Sequence, residues 1–469
     1  MKIGILGNGS IGCATALYLA DAGHKVLLFG NKKRQGSASK AAGAMLNVFG
    51  ELENNHFENV ALKKKFDLAK SSLDTEWPIV LKKLFGSKSK TILNNRKTVI
   101  FKNKFSSPYE IKHFDYLKKQ GKFYKKEINS FNPIEDGVPY ELNSANEFIG
   151  LDEGFINTTE YFTKLDSYLD KKNVKKIDDF DSYKVLKKKD KIFLKSTAEK
   201  KSDIQLDYLV VALGSYSQKL FLENKSIFKK VQNIFFGTGF AFSLFPRGYT
   251  EKINNDNKVY RTMNRGNACG FHIVPSPKEG FYFGASSTIT DTEEFYPRLS
   301  SIKVLSNELE RQFDHRFSGY QSYFNLGHRP VTADTYPLLG ALNKNSRIII
   351  ATGNKRDGLT ASPKIASLIQ DYIGGNNDSF EEYKIFNPER KLLSYFDKEI
   401  AIKSAAEAKI SGEMMHYKNP DFSNWNKIVK ERVYEYEKIY KKINLNKKFG
   451  IHPELLSLYL HKKVDFFKI

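Results

Sequence analysis

Gly7, Gly9 and Gly12 stand in a Gly-x-Gly-x-x-Gly spacing, after the apolar run Lys2–Leu6 and before residues 13–22, a stretch of small and apolar residues. Each glycine has a physical use there. The first makes a tight turn, the second lets backbone approach a pyrophosphate, and the third lets a helix pack against a strand. The unpaired N–H groups of the helix's first turn, at Ser10 and Ile11, then face the anion along with the positive end of the helix dipole. The chemistry is dinucleotide binding. Such sites carry an acid for the ribose hydroxyls at the end of the second strand. Here that position reads Phe29-Gly30-Asn31-Lys32, so Asn31 or the backbone at Gly30 is left for the role. The run Lys32-Lys33-Arg34 admits the 2′-phosphate of NADP as an alternative.

Ser37-Ala-Ser-Lys-Ala-Ala-Gly-Ala-Met-Leu46 resembles the ASxxAAGxL segment of the D-amino-acid oxidase-like FAD oxidoreductases. Further segments resemble that family in its own order: Gly154-Phe-Ile-Asn-Thr158, Tyr208-Leu-Val-Val-Ala-Leu-Gly-Ser-Tyr-Ser217, and Gly327-His-Arg-Pro-Val-Thr-Ala-Asp-Thr-Tyr-Pro-Leu-Leu-Gly340. Ala351-Thr-Gly-Asn-Lys-Arg-Asp-Gly-Leu-Thr360 and Phe386-Asn-Pro-Glu-Arg390 complete the series, which covers residues 1 to about 390.

The resemblance implies FAD rather than NADP, and oxidation of the C–N bond of a small amino acid or amine, with oxygen or a quinone as final acceptor. It implies Ser39 at the phosphates, Ala42, Gly43 and Met45 beneath the pyrophosphate and flavin ring, and Gly214 in the turn returning under the cofactor. Gly353, Gly358, Leu359 and Thr360 would offer backbone N–H groups to the flavin's pyrimidine edge, where they stabilise negative charge. Arg329 resembles an arginine that pairs bidentately with a substrate carboxylate, a role suited to the planar guanidinium. A structural ion pair, for example with Asp334, is the alternative. Arg356 resembles a position that can touch substrate or flavin, and His272 one that lies over the flavin. Structural roles stay open for both. In sarcosine oxidase-like relatives a cysteine near the Arg329 position links FAD covalently, so the arginine implies non-covalent FAD. No acid–base triad is implied. Some relatives use this domain to demodify a tRNA base, but with a fused methyltransferase domain for which the tail here is too short. A FAD-holding subunit of a larger complex is a third reading.

These residues need elements to position them. The first 29 residues read strand, turn, helix, strand, one βαβ opening of a doubly wound sheet. Residues 57–85 and 159–169 have helical periodicity, while 91–145 read as short strands and polar loops. Residues 191–194 and 208–213 read as strands. The span 231–287 is β-rich, with strands expected at 239–245, 270–274 and 280–285. Residues 300–313 and 362–372 read as helices and 347–351 as a buried strand. From 387 the chain reads as mostly helical, and Val429, Val433, Tyr436, Tyr440 and Ile443 form a stripe for docking on the parent domain or for a short coiled coil.

The expected architecture is α/β: a Rossmann-like FAD-binding domain, a substrate domain on a mixed or antiparallel sheet, and a helical C-terminal extension. The expected division gives 1–85, 146–222 and 325–386 to the first, 86–145 and 223–324 to the second, and 387–469 to the third.

The 469 residues, 41% hydrophobic, are ample for such a core. The formal charge of +22 is spread in short lysine runs, which fits solvation better than a nucleic-acid surface. Two distant cysteines, Cys13 and Cys269, make neither a disulfide framework nor a metal site, and both are expected to be structural. No apolar run reaches the ~20 residues of a membrane span, and the glycine motif at Gly7 leaves no room for a leader, so a cytoplasmic protein is expected. The extension is the expected surface for a homo-oligomer or a partner subunit.

Overall fold

A computed structural model of the chain describes all residues except 95, 96, 140, 143, 144, 179–182, 189, 190, 198–201, 249, 266–268, 277–279, 344, 345, 418, 444, 446, 447 and 465–469. Six strands form the first sheet, in the order Leu338–Ala341, Ile348–Thr352, Tyr208–Val211, Lys2–Leu6, Lys25–Phe29 and Lys175–Ile177. All neighbours run parallel except the first pair. Parallel strands are covered on both faces, and the alternation follows. Ile3, Ile5, Val26, Leu28, Val210 and Ile349 pack beneath the Ser10–Asp21 and Ser362–Ile373 helices. Leu6, Leu27, Phe29, Leu209 and Ile350 face the other way, toward Val185, Ile192 and Leu194 of a small three-stranded sheet.

The second sheet has nine strands and is mixed. Its spine is the antiparallel pair Ile234–Phe245 and Gln321–Thr332, twelve residues each and in continuous register from Ile234–Thr332 to Phe245–Gln321. Among the described residues the one parallel contact in it joins Lys258–Arg261 to Lys97–Asn103. The Ala145–Leu151 and Gln321–Thr332 strands, which the expected boundaries at 146 and 325 would divide, both hydrogen-bond into this sheet.

One stretch differs from its expected form. Residues 91–145, expected to be strands and loops, contain the 13-residue Pro108–Gln120 helix. Its start signal is local: Ser107 Oγ accepts from Glu110 N at 3.3 Å, Glu110 Oε2 accepts from Ser107 N at 2.9 Å, and Pro108 occupies the first turn. The Ser-Pro-x-Glu signature is a capping box, and it outweighs the polar surroundings.

The C-terminal stripe is buried against the same chain. In the Trp425–Ile443 helix, Val433, Tyr436, Tyr440 and Ile443 pack with Ile402, Phe449 and Tyr459 on Phe235, Val331 and Ala333 of the second sheet's spine and the turn after it. Tyr459 donates to Ala333 O at 2.8 Å. None of the helices among the described residues is long and apolar enough to cross a membrane.

Candidate functional site

Gly7, Gly30, Asp178 and Ala212 each follow directly on a parallel strand of the first sheet, and all four line one cleft of about 1080 Å³. Ligands of open α/β sheets bind at these carboxyl ends, and the volume sits at the top of the ~300–1,000 Å³ usual for small-molecule sites. The cleft continues to the face of the second sheet at His272, Tyr282 and Arg329.

At the first-sheet end, Gly9 is the N-cap of the Ser10–Asp21 helix and has no side chain to cap it. Ser39 Oγ accepts from Ser10 N at 3.0 Å, and Ser10 Oγ donates to Gly358 O at 3.3 Å, so the three loops that line this end are tied together. Gly9, Ser10, Ile11, Ser39, Ala42, Gly43, Met45, Gly214, Gly358, Leu359 and Thr360 all line the cleft, with Gly7. A helix start over such a groove, with Ser10 N held by Ser39 Oγ and the groove kept narrow by small residues, fits a dinucleotide pyrophosphate.

Two glycines sit elsewhere. Gly12 lies beneath the turn, where a Cβ would stand 1.8 Å from Gly7 O, so its smallness serves helix packing. Gly353, expected at the flavin edge, does not line the cleft. Its φ of +79° turns the chain out of the Ile348–Thr352 strand, and a Cβ would stand 2.5 Å from Thr332 Cγ2.

Asn31 lines the cleft, and its Oδ1 accepts from Lys33 N at 2.8 Å, closing its own turn. Any side chain at Gly30 would collide with Asn8, whose Cγ lies 2.5 Å from the Cβ position. Asp178 lines this corner as well and accepts from Lys32 N at 2.5 Å. It was not legible from sequence because its strand meets Lys25–Phe29 only in the folded sheet.

At the other end, the Arg329 guanidinium lies against Gly239, where a Cβ would meet its Nη2 at 2.6 Å. Its Nη1 donates to Ser286 O at 3.2 Å, and it makes no ion pair among the described residues. The alternative partner, Asp334, is taken by Arg390 at 2.8 Å. Arg356 is paired: Nη2 with Glu454 Oε1 at 3.2 Å, Nη1 with Glu51 Oε2 at 3.5 Å, and Nη1 donates to Cys269 Sγ at 3.4 Å. Cys269 was expected to be structural, yet it lines the cleft. Cys13 is buried in the first helix, its Sγ donating to Asn8 O at 3.1 Å. Among the described residues no His/Cys/Asp/Glu group could hold a metal.

His272 lines the cleft, stacked on Tyr282 at 5.8 Å and 19°. Tyr282 in turn packs on Gly43, where a Cβ would stand 2.7 Å from its ring. Nδ1 of His272 faces Gly270 O at 2.8 Å, an acceptor only, so Nδ1 carries the proton and Nε2 the lone pair. Burial, then the nearby Arg261 charge, push its pKa down to about 3. The imidazole is therefore neutral at physiological pH. Below the ordinary value of about 6.5 the unfolded chain binds a proton that the folded one refuses, so stability is full above that pH and falls toward 3. From His272 alone the loss at pH 5 is expected to be about 2 kcal/mol. Denaturant unfolding at pH 7 and pH 5 should show a smaller difference for His272→Gln than for the parent. Equal differences would mean that His272 is protonated in the folded protein.

Sequence reasoning also missed Glu51, Tyr282 and Glu454. None lies in a local motif, and they are brought to the site by pairings across the fold.

The comparisons with known proteins agree with this geometry. The FAD dependent oxidoreductase family (DAO) matches residues 2–372. Glycine oxidase of Bacillus subtilis (strain 168) is 23% identical over 392 residues, covering 82% of this chain and 96% of that protein. The crystal structure of glycine oxidase from Geobacillus kaustophilus superposes with a TM-score of 0.65 at 17% identity, covering 79% of this chain and 94% of the other. Iminodiacetate oxidase from Chelativorans sp. BNC1 gives 0.62 at 13%, covering 80% and 95%. With the matched residues spanning both sheets and the whole lining of the glycine-rich end, the chain belongs to the DAO family of FAD-dependent oxidoreductases.

Proposed function

We propose that this protein oxidises the C–N bond of a small amino acid or secondary amine whose carboxylate pairs with Arg329, with FAD held non-covalently in the cleft. The observation that carries the reading is Arg329 itself, a cation lining the cleft with no carboxylate partner among the described residues. A guanidinium left this way offers its fork to a ligand. The similarity to glycine oxidase and iminodiacetate oxidase supports an amino-acid or amine substrate.

Bound FAD supplies the two-electron acceptor for the carbon beside the nitrogen. The chain's own residues bind and orient. Arg329 fixes the carboxylate and with it the direction of the C–N bond, which converts binding energy into alignment. Neutral His272, with its lone pair on Nε2, and Tyr282 wall the same end without adding charge. Gly358, Leu359 and Thr360, just ahead of the Ser362–Ile373 helix, also line the cleft. Arg329 stands where a linking cysteine would be needed, so acid or heat should release the flavin.

The test is a panel of amino acids and amines added anaerobically to the FAD-loaded protein, with flavin bleaching as readout. This reports the reductive step whether oxygen or a quinone is the acceptor. Bleaching by one or a few small amino acids is expected. A loaded protein that no amine or amino acid bleaches would overturn the proposal.

A further inference from the structure

Lys355 and Arg356 bring two more cations to the wall that carries Arg329. Lys355 N donates to Pro330 O at 3.0 Å, which sets this turn beside the Gln321–Thr332 strand. Both residues line the cleft, and their charges would attract a second anionic group on a ligand. Both are already paired. Glu454 Oε1 lies 2.8 Å from Lys355 Nζ and 3.2 Å from Arg356 Nη2. Glu51 Oε2 lies 3.5 Å from Arg356 on the cleft side, and its Oε1 also meets Arg261 at 3.2 Å. Glu454 stands in the Pro453–Leu455 turn, well beyond the family match that ends at 372. Its side chain is 4% exposed and that of Lys355 is 5%. Burial opposes the Glu454 charge, but Lys355 and Arg356 outweigh it and hold its carboxyl down at about 2, so the pairing persists across physiological pH.

We propose that Glu454, helped by Glu51, sets the charge selectivity of the site: it pairs with Lys355 and Arg356 and takes up their hydrogen bonds, so the cleft accepts a substrate with one carboxylate, at Arg329, and disfavours a second. The inference rests on the carboxylate-binding reading of Arg329. A second carboxylate placed near Arg356 meets Glu51 and Glu454, and can gain the guanidinium only by breaking buried, charge-assisted pairs. A segment outside the family match thus writes specificity into the family's cleft.

The experiment is a titration of the FAD-loaded protein with acetate and with malonate, followed by the perturbation of the flavin spectrum. The parent should bind acetate more tightly than malonate. Glu454→Gln keeps the shape, removes the charge and should improve malonate binding relative to acetate by roughly tenfold, the size of one charge-assisted hydrogen bond. Glu51→Gln relieves Arg356 from the other side and should move the ratio in the same direction, which keeps the test decisive if Glu454→Gln fails to retain flavin. An acetate-to-malonate ratio unchanged from the parent, in whichever variant holds flavin, overturns the inference. Arg329→Lys separates the two ideas: it should weaken both anions together, and if it weakens neither, the underlying reading has failed.

Discussion

Arg329→Lys is expected to raise KM for the best amino-acid substrate strongly while FAD content stays at the parent level. An ammonium is a point charge and cannot reproduce the two parallel bonds of a guanidinium fork. Losing one charge-assisted bond costs ~1.5–3 kcal/mol, so kcat/KM should fall roughly ten- to a hundredfold. The structure makes the result interpretable. The strand that carries Arg329 is held along twelve residues by its partner Ile234–Phe245, and the arginine itself contributes one bond, to Ser286 O. Fold and cofactor should therefore survive the change. Amines without a carboxylate should be much less affected, and acetate should inhibit the parent and perturb its flavin spectrum. A mutant that unfolds or loses flavin would make Arg329 structural. A mutant with normal turnover of its best substrate would mean that this substrate is an amine held elsewhere in the cleft.

The first βαβ unit was legible because all of its signals are local: an apolar run, glycines at fixed spacing, and a second apolar run within 29 residues. The motif segments place nearly all the expected site residues around one cleft, with Gly12 and Gly353 outside its lining. What was not legible is the charge pairing. Arg356 looks in sequence as available as Arg329. Only the folded chain sets Glu454 and Glu51 against one and, among the described residues, gives the other no carboxylate. The corner after the second strand has the same lesson. Asn31 turns its Oδ1 to its own turn, and Asp178, which follows a neighbouring strand, lines the same place. Residue type reports capacity for a role, and partners across the fold decide whether that capacity is free. The Pro108–Gln120 helix is a different case, since its capping box is local and stands in the sequence, in a stretch whose polar residues otherwise read as strands and loops.

Gly9→Val is expected to yield a folded, colourless protein, because Gly9 is the glycine of the motif whose smallness the protein itself does not need. At Gly7 the φ is +110° and a Cβ would stand 2.2 Å from Ala212 O, while at Gly12 it would stand 1.8 Å from Gly7 O. Substitutions there attack the turn before any ligand is considered. At Gly9 the backbone is extended, with φ −73° and ψ −168°, a region open to valine. The nearest atom to its Cβ is Ser39 Oγ at 3.3 Å, which need give by only a few tenths of an ångström and can keep its bond from Ser10 N. The added methyl groups would instead enter the cleft above the helix start, the space a pyrophosphate needs. Overlap of that kind costs on the order of 3 kcal/mol, a hundredfold or more in FAD affinity. Apoprotein Tm near that of the parent apoprotein, with flavin absent after purification and not recovered on adding FAD, is the expected pair of measurements. Gly9→Ala, which adds the Cβ alone, should lose less. If Gly9→Val instead purifies with a full complement of FAD, the phosphates bind away from the first turn, and the glycine-rich end of the cleft must be reassigned.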